Sequence, residues 1–294
     1  MTDRINRTVE LLSLNQAVYY MGNHSGHVLT REQGREDAAT WADYINVGME
    51  HGAFNLAGLD QYLLGLVEGG PTRSGHRTPS VIVEAPVEGV TEEIIRANSW
   101  QFRQILGRGV HGILLCQAES ASAVQAFVES CRYPINRVGV GNGLDKGRRG
   151  VGSENSATAI WGIERNDYVQ RADPWPLNPN GELLLGVKIE SAEALPYIEE
   201  ILAVPGIGFA EMGPGDLSMS LGYLNCPRPF PPEIQETHER VRNACAENNV
   251  AFLSSATVDN IKEKIDEGVR IIQPGGNEEV VRIGREYSDR IMPW

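Results

Sequence analysis

The sequence predicts an α/β protein, a TIM (β/α)8 barrel that forms a single domain over residues 1–294. Short segments typical of strands alternate with longer helical patterns almost from end to end, which is the order of a parallel sheet with crossover helices. About eight or nine strands are recognisable, enough to close a barrel. No GxGxxG loop follows the first strand, which disfavours an open dinucleotide-binding sheet.

The predicted strands are short apolar runs bounded by glycine, proline or polar residues. In chain order they cover residues 17–21, 44–48, 80–84, 112–116, 139–141, 183–190, 208–212, 251–254 and 271–273. The main predicted helices cover residues 91–106, 121–132, 192–204, 232–248 and 258–267. Ser191 is a candidate N-cap for the third of these helices. Residues 173–181 contain three prolines and are predicted to form an irregular loop.

The composition argues against several classes of partner. The formal net charge is −13, and the densest basic stretch, residues 146–149, is too short for a nucleic-acid surface. No run approaches the ~18 apolar residues of a membrane span, and the amino terminus lacks the apolar core of a signal peptide. The four cysteines have no CxxC spacing, which indicates reduced thiols. We expect a cytoplasmic protein that acts on a small molecule, without nucleic acid or membrane.

Two ionisable side chains share one face of the strand predicted at residues 183–190. Because side chains alternate along a strand, Lys188 and Glu190 point to one side and their apolar neighbours to the other. The ligand site of a barrel lies at the carboxyl ends of its strands, where this pair is placed. A buried lysine–glutamate pair with a purely structural role is the alternative.

The next strand ends in a glycine-rich turn, residues 213–216, that leads into a short helical segment. The backbone N–H groups of such a turn are able to face an anionic ligand. Taken alone, Asp216 is best explained as the N-cap of that helix. Together with Glu190 at the tip of the neighbouring strand, however, it suits a hard divalent cation such as Mg²⁺, which would polarise a carbonyl group.

Three histidines fall near the same predicted end of the barrel. His51 follows the strand at 44–48 and is a candidate general base, because imidazole titrates near neutral pH. Taken alone, His51 is more simply explained as a hydrogen-bonded structural residue. His24 and His27 lie in the loop after the first strand, where a zinc site is only weakly indicated because no third ligand lies nearby.

These motifs resemble those of the HpcH/HpaI aldolases, metal-dependent lyases that cleave 4-hydroxy-2-oxo acids to pyruvate and an aldehyde. The similarity extends over about residues 35–280 and is most specific at residues 187–223, 50–55 and 148–157.

The resemblance implies a role for each matching residue. It implies that Glu190 and Asp216 bind Mg²⁺, Mn²⁺ or Co²⁺, and that the turn amides of Gly215 and Asp216 hold the carboxylate of the oxo acid. It implies that His51 is the catalytic base, acting with a water molecule. It also implies a homo-oligomer with active sites at subunit contacts, where the loop around Arg149 would contact a substrate or a neighbouring subunit.

Departures from the family pattern predict an altered substrate. Glu84 stands where the family has an arginine that holds the keto oxygen of the enolate, and Lys188 replaces a glutamine beside the metal ligand. The aspartates expected near the catalytic histidine fall on Gly48 and Gly107. We expect the Lys188 ammonium to replace the arginine's charge, close to a substrate oxygen or to Glu84. A divalent cation beside it would lower the lysine pKa.

The expected catalytic side chains are therefore His51, Lys188, Glu84 and His24, with His27 as a further candidate for proton transfer. We expect a lyase that acts on a different oxygenated skeleton. An aromatic one is suggested only by the available tryptophans, Trp41, Trp100, Trp161 and Trp175. The alternatives are a citrate-lyase or malyl-CoA-lyase type of enzyme, which would need a basic pocket for the CoA phosphates, and a non-catalytic barrel that binds a small acid.

Overall fold

Eight parallel strands close into a barrel in the computed structural model, which describes residues 4–293. The strands in chain order are β1 (Val18–Asn23), β2 (Tyr44–Gly48), β3 (Ser80–Glu84), β4 (Gly112–Leu115), β5 (Pro174–Trp175), β6 (Leu183–Ile189), β7 (Phe209–Met212), β8 (Ala251–Ser255) and β9 (Val269–Gln273). The β4–β6 and β9–β1 pairings complete the circle, and the two-residue β5 pairs with the start of β6. The TIM-barrel prediction is confirmed.

Helices connect the strands. They are α1 (Arg7–Ser13), α2 (Arg31–Asp37), α3 (Leu56–Gly69), α4 (Glu92–Gly107), α5 (Ala121–Cys131), α6 (Glu154–Trp161), α7 (Arg165–Arg171), α8 (Ile198–Leu202), α9 (Pro214–Ser220), α10 (Pro232–Glu247), α11 (Ile261–Asp266) and α12 (Glu278–Tyr287). Several helices have an N-cap side chain. The Thr91 hydroxyl caps α4 by accepting a hydrogen bond from the N–H of Ile94, and the Ser120 hydroxyl caps α5 by accepting one from the N–H of Ala123.

Three segments differ in type of structure from the prediction. Residues 139–141 form turns with a single bridge between Val140 and Leu144, because the glycines there adopt positive φ values that a strand does not use. The proline-rich segment contains β5, in which Pro174 is the first residue of a two-residue strand, a position that tolerates proline. The helix predicted at 192–204 divides into a 3-10 helix, Ala192–Tyr197, and α8, and Pro196 lies inside the 3-10 segment.

The barrel interior follows the two-residue alternation of the strands. One apolar side chain from each of the eight barrel strands contributes to a buried cluster: Tyr20, Tyr44, Ile82, Leu114, Leu184, Phe209, Leu253 and Ile271. Residues two or four positions later on the same faces are polar: Asn46, Glu84, Cys116, Lys188 and Glu211. The interior is thus an apolar layer beneath a polar layer at the carboxyl ends of the strands.

A buried ion cluster joins α1 and the region of α12 to the amino-terminal end of the barrel. Asp43, just before β2, contacts Arg7 at 3.1 Å, Arg285 at 3.1 Å and Arg290 at 2.6 Å through its Oδ1. Burial acts to raise the pKa of Asp43, but the three guanidinium groups outweigh it and lower the pKa to about 2. The cluster lies at the end of the barrel opposite the polar layer.

Among residues 4–293, no helix is long and apolar enough to cross a membrane.

Candidate active site

A cavity of about 660 Å³ opens at the carboxyl ends of the barrel strands. Its inner half is formed by side chains of the strands and the loops that follow them: Tyr20, His24, His51, Lys188, Glu190, Glu211 and Asp216. Its outer half is formed by α10, α11, the loop before α10 and the ends of β8 and β9, and includes Arg228, Phe230, Gln235, His238, Arg242, Asn260 and Lys264. This is the end of a barrel at which ligand sites occur.

The Lys188 ammonium lies among carboxylates in the inner half. Its Nζ is 3.2 Å from Glu50 Oε2, 3.8 Å from Glu190 Oε2 and 3.9 Å from Glu84 Oε2. Burial acts to lower the pKa of Lys188, but the negative charges around it outweigh burial and raise the pKa. The lowered pKa of Lys188 expected from the sequence assumes a metal ion beside the ammonium group. Without that ion, the surrounding carboxylates raise the pKa of Lys188 instead.

Glu190 follows the end of β6, and only one of its two carboxylate oxygens accepts a hydrogen bond from the described residues. Its Oε1 accepts a hydrogen bond from the N–H of Gln117 at 2.9 Å, whereas its buried Oε2 has no hydrogen-bond partner among the described residues. Burial raises the pKa of Glu190 to about 8, and nearby Glu50 adds to the effect while Lys188 opposes it. Gly213 packs against this side chain, because a Cβ there would lie 2.3 Å from Glu190 Oε2.

Asp216 lies in the first turn of α9 rather than at its N-cap. The helix begins at Pro214 with Gly213 as the N-cap residue, so the capping explanation for Asp216 is not what the structure shows. Asp216 and Gly215 both line the cavity, together with Glu190. The structure therefore brings the two carboxylates predicted as metal ligands to one cavity.

The donor set fits a divalent cation. The side chains of Glu50, Glu84, Glu190 and Glu211 surround a single ammonium group, so the carboxyl groups outnumber the one cation, Lys188. The Oε2 atoms of Glu84, Glu190 and Glu211 are buried without a hydrogen-bond partner in the described part of the chain. Oxygen ligands with excess negative charge are those that Mg²⁺ and Mn²⁺ prefer.

Two of these carboxylates, with a cysteine, form a second group of candidate ligands. One ligand atom each of Glu50, Glu84 and Cys116 lie within 4.8 Å of one another. Burial raises the pKa of the Cys116 thiol, which favours its protonated form over a metal-binding thiolate. The carboxylates of this group are therefore better described as partners of the Lys188 ammonium.

His24 is held by Glu84 at the mouth of the barrel. Its Nδ1 lies 2.7 Å from Glu84 Oε1, and the same oxygen accepts a hydrogen bond of 2.7 Å from Asn46 Nδ2. The hydrogen bond to Glu84 raises the pKa of His24, against the opposing effect of burial. The His24 side chain remains 40% exposed, at the cavity.

The other two histidines have different surroundings. His51 lines the cavity with a side chain 52% exposed, and its Nε2 lies 3.6 Å from Glu50 Oε2. His27 is not among the cavity residues, because its Nε2 is directed to Asp37 Oδ2 at 2.8 Å and to Tyr62 Oη at 3.1 Å. His27 thus connects α2 and α3 through its contacts with Asp37 and Tyr62.

Arg149 does not lie with the other predicted site residues. It is 1% exposed, with its guanidinium 4.5 Å from the ring centre of Tyr133 and 5.3 Å from that of Tyr168. Its Nη2 donates a hydrogen bond of 2.5 Å to Tyr168 Oη. The arginine is therefore enclosed between aromatic rings beside α7 and is not part of the cavity lining.

The tryptophans do not line the cavity either. Trp161 donates to the carbonyl of Gly109 at 2.9 Å and stacks on His111, and Trp100 packs edge-on against Phe54. Among the described residues that line the cavity, the aromatic groups are Tyr20, Phe230 and the histidines. An aromatic substrate therefore receives no support from the tryptophans.

Two of the carboxylates near Lys188 were not predicted as site residues. Glu211 stands opposite Lys188 in the register of β6 and β7, and the alternation along β7 was a sufficient signal for its inward direction. Glu50 comes after β2 ends, where the strand alternation no longer fixes a side-chain direction. The contact between Glu50 and Lys188 therefore could not be predicted from the sequence.

The outer half of the cavity is polar and nearly balanced in charge. Arg242 and Lys264 contact the same carboxylate, Glu267, at 3.8 and 2.7 Å, while the Arg228 guanidinium lies 3.9 Å from the ring centre of Phe230. Amides, hydroxyls and a carboxylate complete this half: Gln235, Glu239, Ser254, Ser255, Asn260 and Gln273. Such a lining provides both donors and acceptors for a polar ligand.

A barrel with a carboxylate-rich cavity at the carboxyl ends of its strands defines a class of enzyme that acts on a small polar molecule. Comparison with known proteins gives the family. A sequence model of the HpcH/HpaI aldolase/citrate lyase family matches residues 83–282, and the chain belongs to this family. It is a carbon–carbon lyase of the aldolase type.

Two curated relatives and one solved structure illustrate the similarity. A hydroxypyruvate/pyruvate aldolase from Paraburkholderia phytofirmans is 30% identical over 235 residues, which cover 78% of this chain and 84% of that one. A 4-hydroxy-2-oxo-heptane-1,7-dioate aldolase from Shigella sonnei is 28% identical over 211 residues, 70% and 71% of the two chains. The structure of a family protein from Burkholderia cenocepacia superimposes with a TM-score of 0.69 at 20% identity, covering 98% of this chain and 100% of that one.

Proposed function

We propose that this protein is a divalent-metal-dependent aldolase that cleaves a 4-hydroxy-2-oxo acid into a 2-oxo acid such as pyruvate and a polar aldehyde. The observation that carries the proposal is the convergence of Lys188, Glu190 and Asp216 on one cavity. An ammonium group and two carboxylates at strand ends supply the charge needed to stabilise an enolate in a partly buried site. The relatives named as 2-oxo-acid aldolases support the same substrate class.

Glu190 and Asp216 would hold the cation. When bound, a divalent metal supplies Lewis acidity that draws electrons from the oxo group of the substrate. The free Oε2 of Glu190 and the excess of carboxylates in the inner half favour such an ion. The family is metal-dependent, and Mg²⁺, Mn²⁺ and Co²⁺ are the candidate cations.

The side chains of this chain have separate tasks in the proposed cleavage. The N–H groups of Gly215 and Asp216, in the first turn of α9, bind the carboxylate of the oxo acid. The Lys188 ammonium stabilises the negative charge that develops on the enolate oxygen, the task of the arginine that Glu84 replaces. A cavity histidine accepts the proton of the 4-hydroxyl group, with His51 and His24 both at the cavity.

The aldehyde half of the substrate would lie in the outer half of the cavity. The paired charges and amides there suit hydroxyl or carboxylate groups better than an apolar or aromatic skeleton. A CoA ester is less well supported, because two of the three outer-half lysine and arginine side chains, Arg242 and Lys264, are engaged with Glu267, which leaves Arg228 for phosphate groups. This weakens the citrate-lyase-type alternative, since CoA phosphates need uncompensated cations.

Two further properties are proposed, one from the cysteines and one from the family resemblance. The four cysteines are free thiols, which suits the reducing cytoplasm. The family resemblance supports a homo-oligomer, although Arg149 is enclosed within its own chain. Light scattering at micromolar concentration tests the second property, and a monomer mass would remove it.

Metal binding tests the proposed function without a substrate. Calorimetric titration of the metal-stripped protein with Mn²⁺ should give about one site per chain, and Glu190→Gln or Asp216→Asn should weaken binding by at least ten- to a hundredfold. Glu193→Gln, an exposed carboxylate just beyond Glu190, is the matched control. A wild-type protein with no measurable affinity for Mg²⁺ or Mn²⁺ would favour the non-catalytic barrel instead. Wild-type activity of Glu190→Ala at low metal concentration would count equally against the proposal.

A further inference from the structure

Glu84 and Asn46 fix the orientation of His24. The Glu84 carboxylate is fully buried, and its Oε1 lies 2.7 Å from His24 Nδ1 and accepts a hydrogen bond of 2.7 Å from Asn46 Nδ2. The pKa of Glu84 is lowered because His24, Lys188 and Asn46 outweigh the effect of burial. An ionised carboxylate is an acceptor only, so the Nδ1 position of His24 carries the proton.

This orientation leaves Nε2 as the nitrogen that is free to act as a base. The Nδ1 edge of the ring faces the buried carboxylate, and the ring as a whole lines the cavity with 40% of its side chain exposed. A histidine whose one nitrogen donates to a carboxylate is held in one tautomer and stabilised in its protonated form. His51, at 3.6 Å from Glu50, has no comparably close partner among the described residues.

The barrel order places the two histidines after neighbouring strands, β1 and β2. His24 follows β1, which pairs with β9, and the ends of β8 and β9 supply Ser254, Ser255 and Gln273 to the lining. His51 follows β2, which lies between β1 and β3 and is therefore one strand farther from β9. His24 is thus nearer to the part of the cavity that extends toward α10 and α11.

We infer that His24, positioned by Glu84 and Asn46, is the base that takes the proton of the 4-hydroxyl group, and that His51 handles the proton at C3. The inference rests on the proposed function. In the cleavage, His24 Nε2 accepts the hydroxyl proton, the C4–O bond becomes the aldehyde carbonyl, and the C3–C4 bond breaks. Its electron pair passes into the enolate, whose C3 then takes a proton from His51 to give the 2-oxo acid.

Because the two histidines act on different protons, two reactions can be measured separately to test their roles. Cleavage of a 4-hydroxy-2-oxo acid requires both histidines, whereas exchange of the pyruvate methyl protons with D₂O requires only the group that acts at C3. His24→Gln should lose cleavage by about a hundredfold or more while pyruvate exchange, followed by NMR, changes by only a few-fold. His51→Gln should lose both reactions. Equal loss of cleavage and exchange in His24→Gln would overturn the inference.

The positioning role has its own readout. The charged groups that act on His24 are Glu84, Lys188 and Glu211. Since Glu84 raises the pKa of His24, Glu84→Gln should lower that pKa in an NMR titration, and the acidic limb of the pH–rate profile should move to lower pH by the same amount. Asn46→Ala should reduce cleavage while retaining the elevated pKa, because the Glu84 contact remains.

His27→Gln, three residues further along the same loop and paired with Asp37, is the matched control. It should leave the acidic limb and the His24 titration unchanged. An unchanged His24 pKa in folded Glu84→Gln protein would refute the positioning role. The titration needs no turnover, so it distinguishes failure of this inference from failure of the proposed aldolase activity, which would appear as no cleavage in the wild-type protein.

Discussion

The Lys188 ammonium lies 3.2 Å from Glu50 Oε2, closer than its 3.9 Å to Glu84, the partner expected from the sequence. One cation therefore faces carboxylates from β3, from β6 and from the loop after β2. A simple ion pair that ties two strands together would not gather so many carboxylates. The arrangement is better explained by a site in which carboxylates would bind a metal ion and the ammonium group would stabilise a substrate oxygen.

The role of Lys188 is tested by its removal. In the presence of saturating Mn²⁺, Lys188→Met should lower kcat/KM by about 10²–10³-fold, the effect of losing one group that stabilises an oxyanion. Metal affinity should be retained or increase, because a like charge near the cation is gone. Lys262→Met, an exposed lysine on α11, is the control. Normal turnover with a lowered melting temperature would show that the lysine is structural.

Gly213 is expected to control metal binding through Glu190. A Cβ at position 213 would lie 2.3 Å from Glu190 Oε2 and 2.8 Å from Glu190 Cβ, so Gly213→Ala must displace that side chain. The expected result is a loss of metal affinity of about ten- to a hundredfold, measured by calorimetry. Gly150→Ala is the control, because a Cβ there meets nothing within 4 Å. Unchanged affinity in Gly213→Ala would mean that Glu190 is not a ligand.

The ion cluster at Asp43 predicts how stability depends on pH. The pKa of Asp43 is about 2 in the folded protein against an ordinary value of 3.8, so its contribution is present above the ordinary pKa. That contribution is lost as the pH falls from about 5 towards 2. Denaturant unfolding should show a smaller loss over this pH range for Asp43→Asn than for the wild-type protein, because other carboxylates such as Glu84 also have lowered pKa values.

The same substitution has a cost at neutral pH. Asp43→Asn leaves the buried guanidinium groups of Arg7, Arg285 and Arg290 without their shared counter-charge, and should reduce the free energy of unfolding by about 3–5 kcal/mol. Asp60→Asn, which removes a partly exposed ion pair with Arg108, should cost only about 0–1 kcal/mol. Equal effects of the two substitutions would show that the buried cluster contributes no more than a surface pair.

The barrel and part of the site follow from patterns that sequence alone contains. The alternation along β6 gives the common direction of Lys188 and Glu190, and β2 and β3 have their predicted bounds because each is a continuous buried run. The position of Glu50 depends on a loop, and the enclosure of Arg149 depends on two tyrosines that are distant in sequence. Long-range packing of this kind has no local periodicity from which to predict it.

Product analysis tests the central claim most directly. The protein with Mg²⁺ or Mn²⁺ should release pyruvate and an aldehyde in equal amounts from at least one 4-hydroxy-2-oxo acid with a polar tail, as measured by mass spectrometry across a panel of such acids. A chelator and the Asp216→Asn substitution should each abolish both products, because both remove the cation that draws electrons from the oxo group. The account would be contradicted by cleavage that persists after complete removal of metal, or by no cleavage of any panel member with any of the divalent cations.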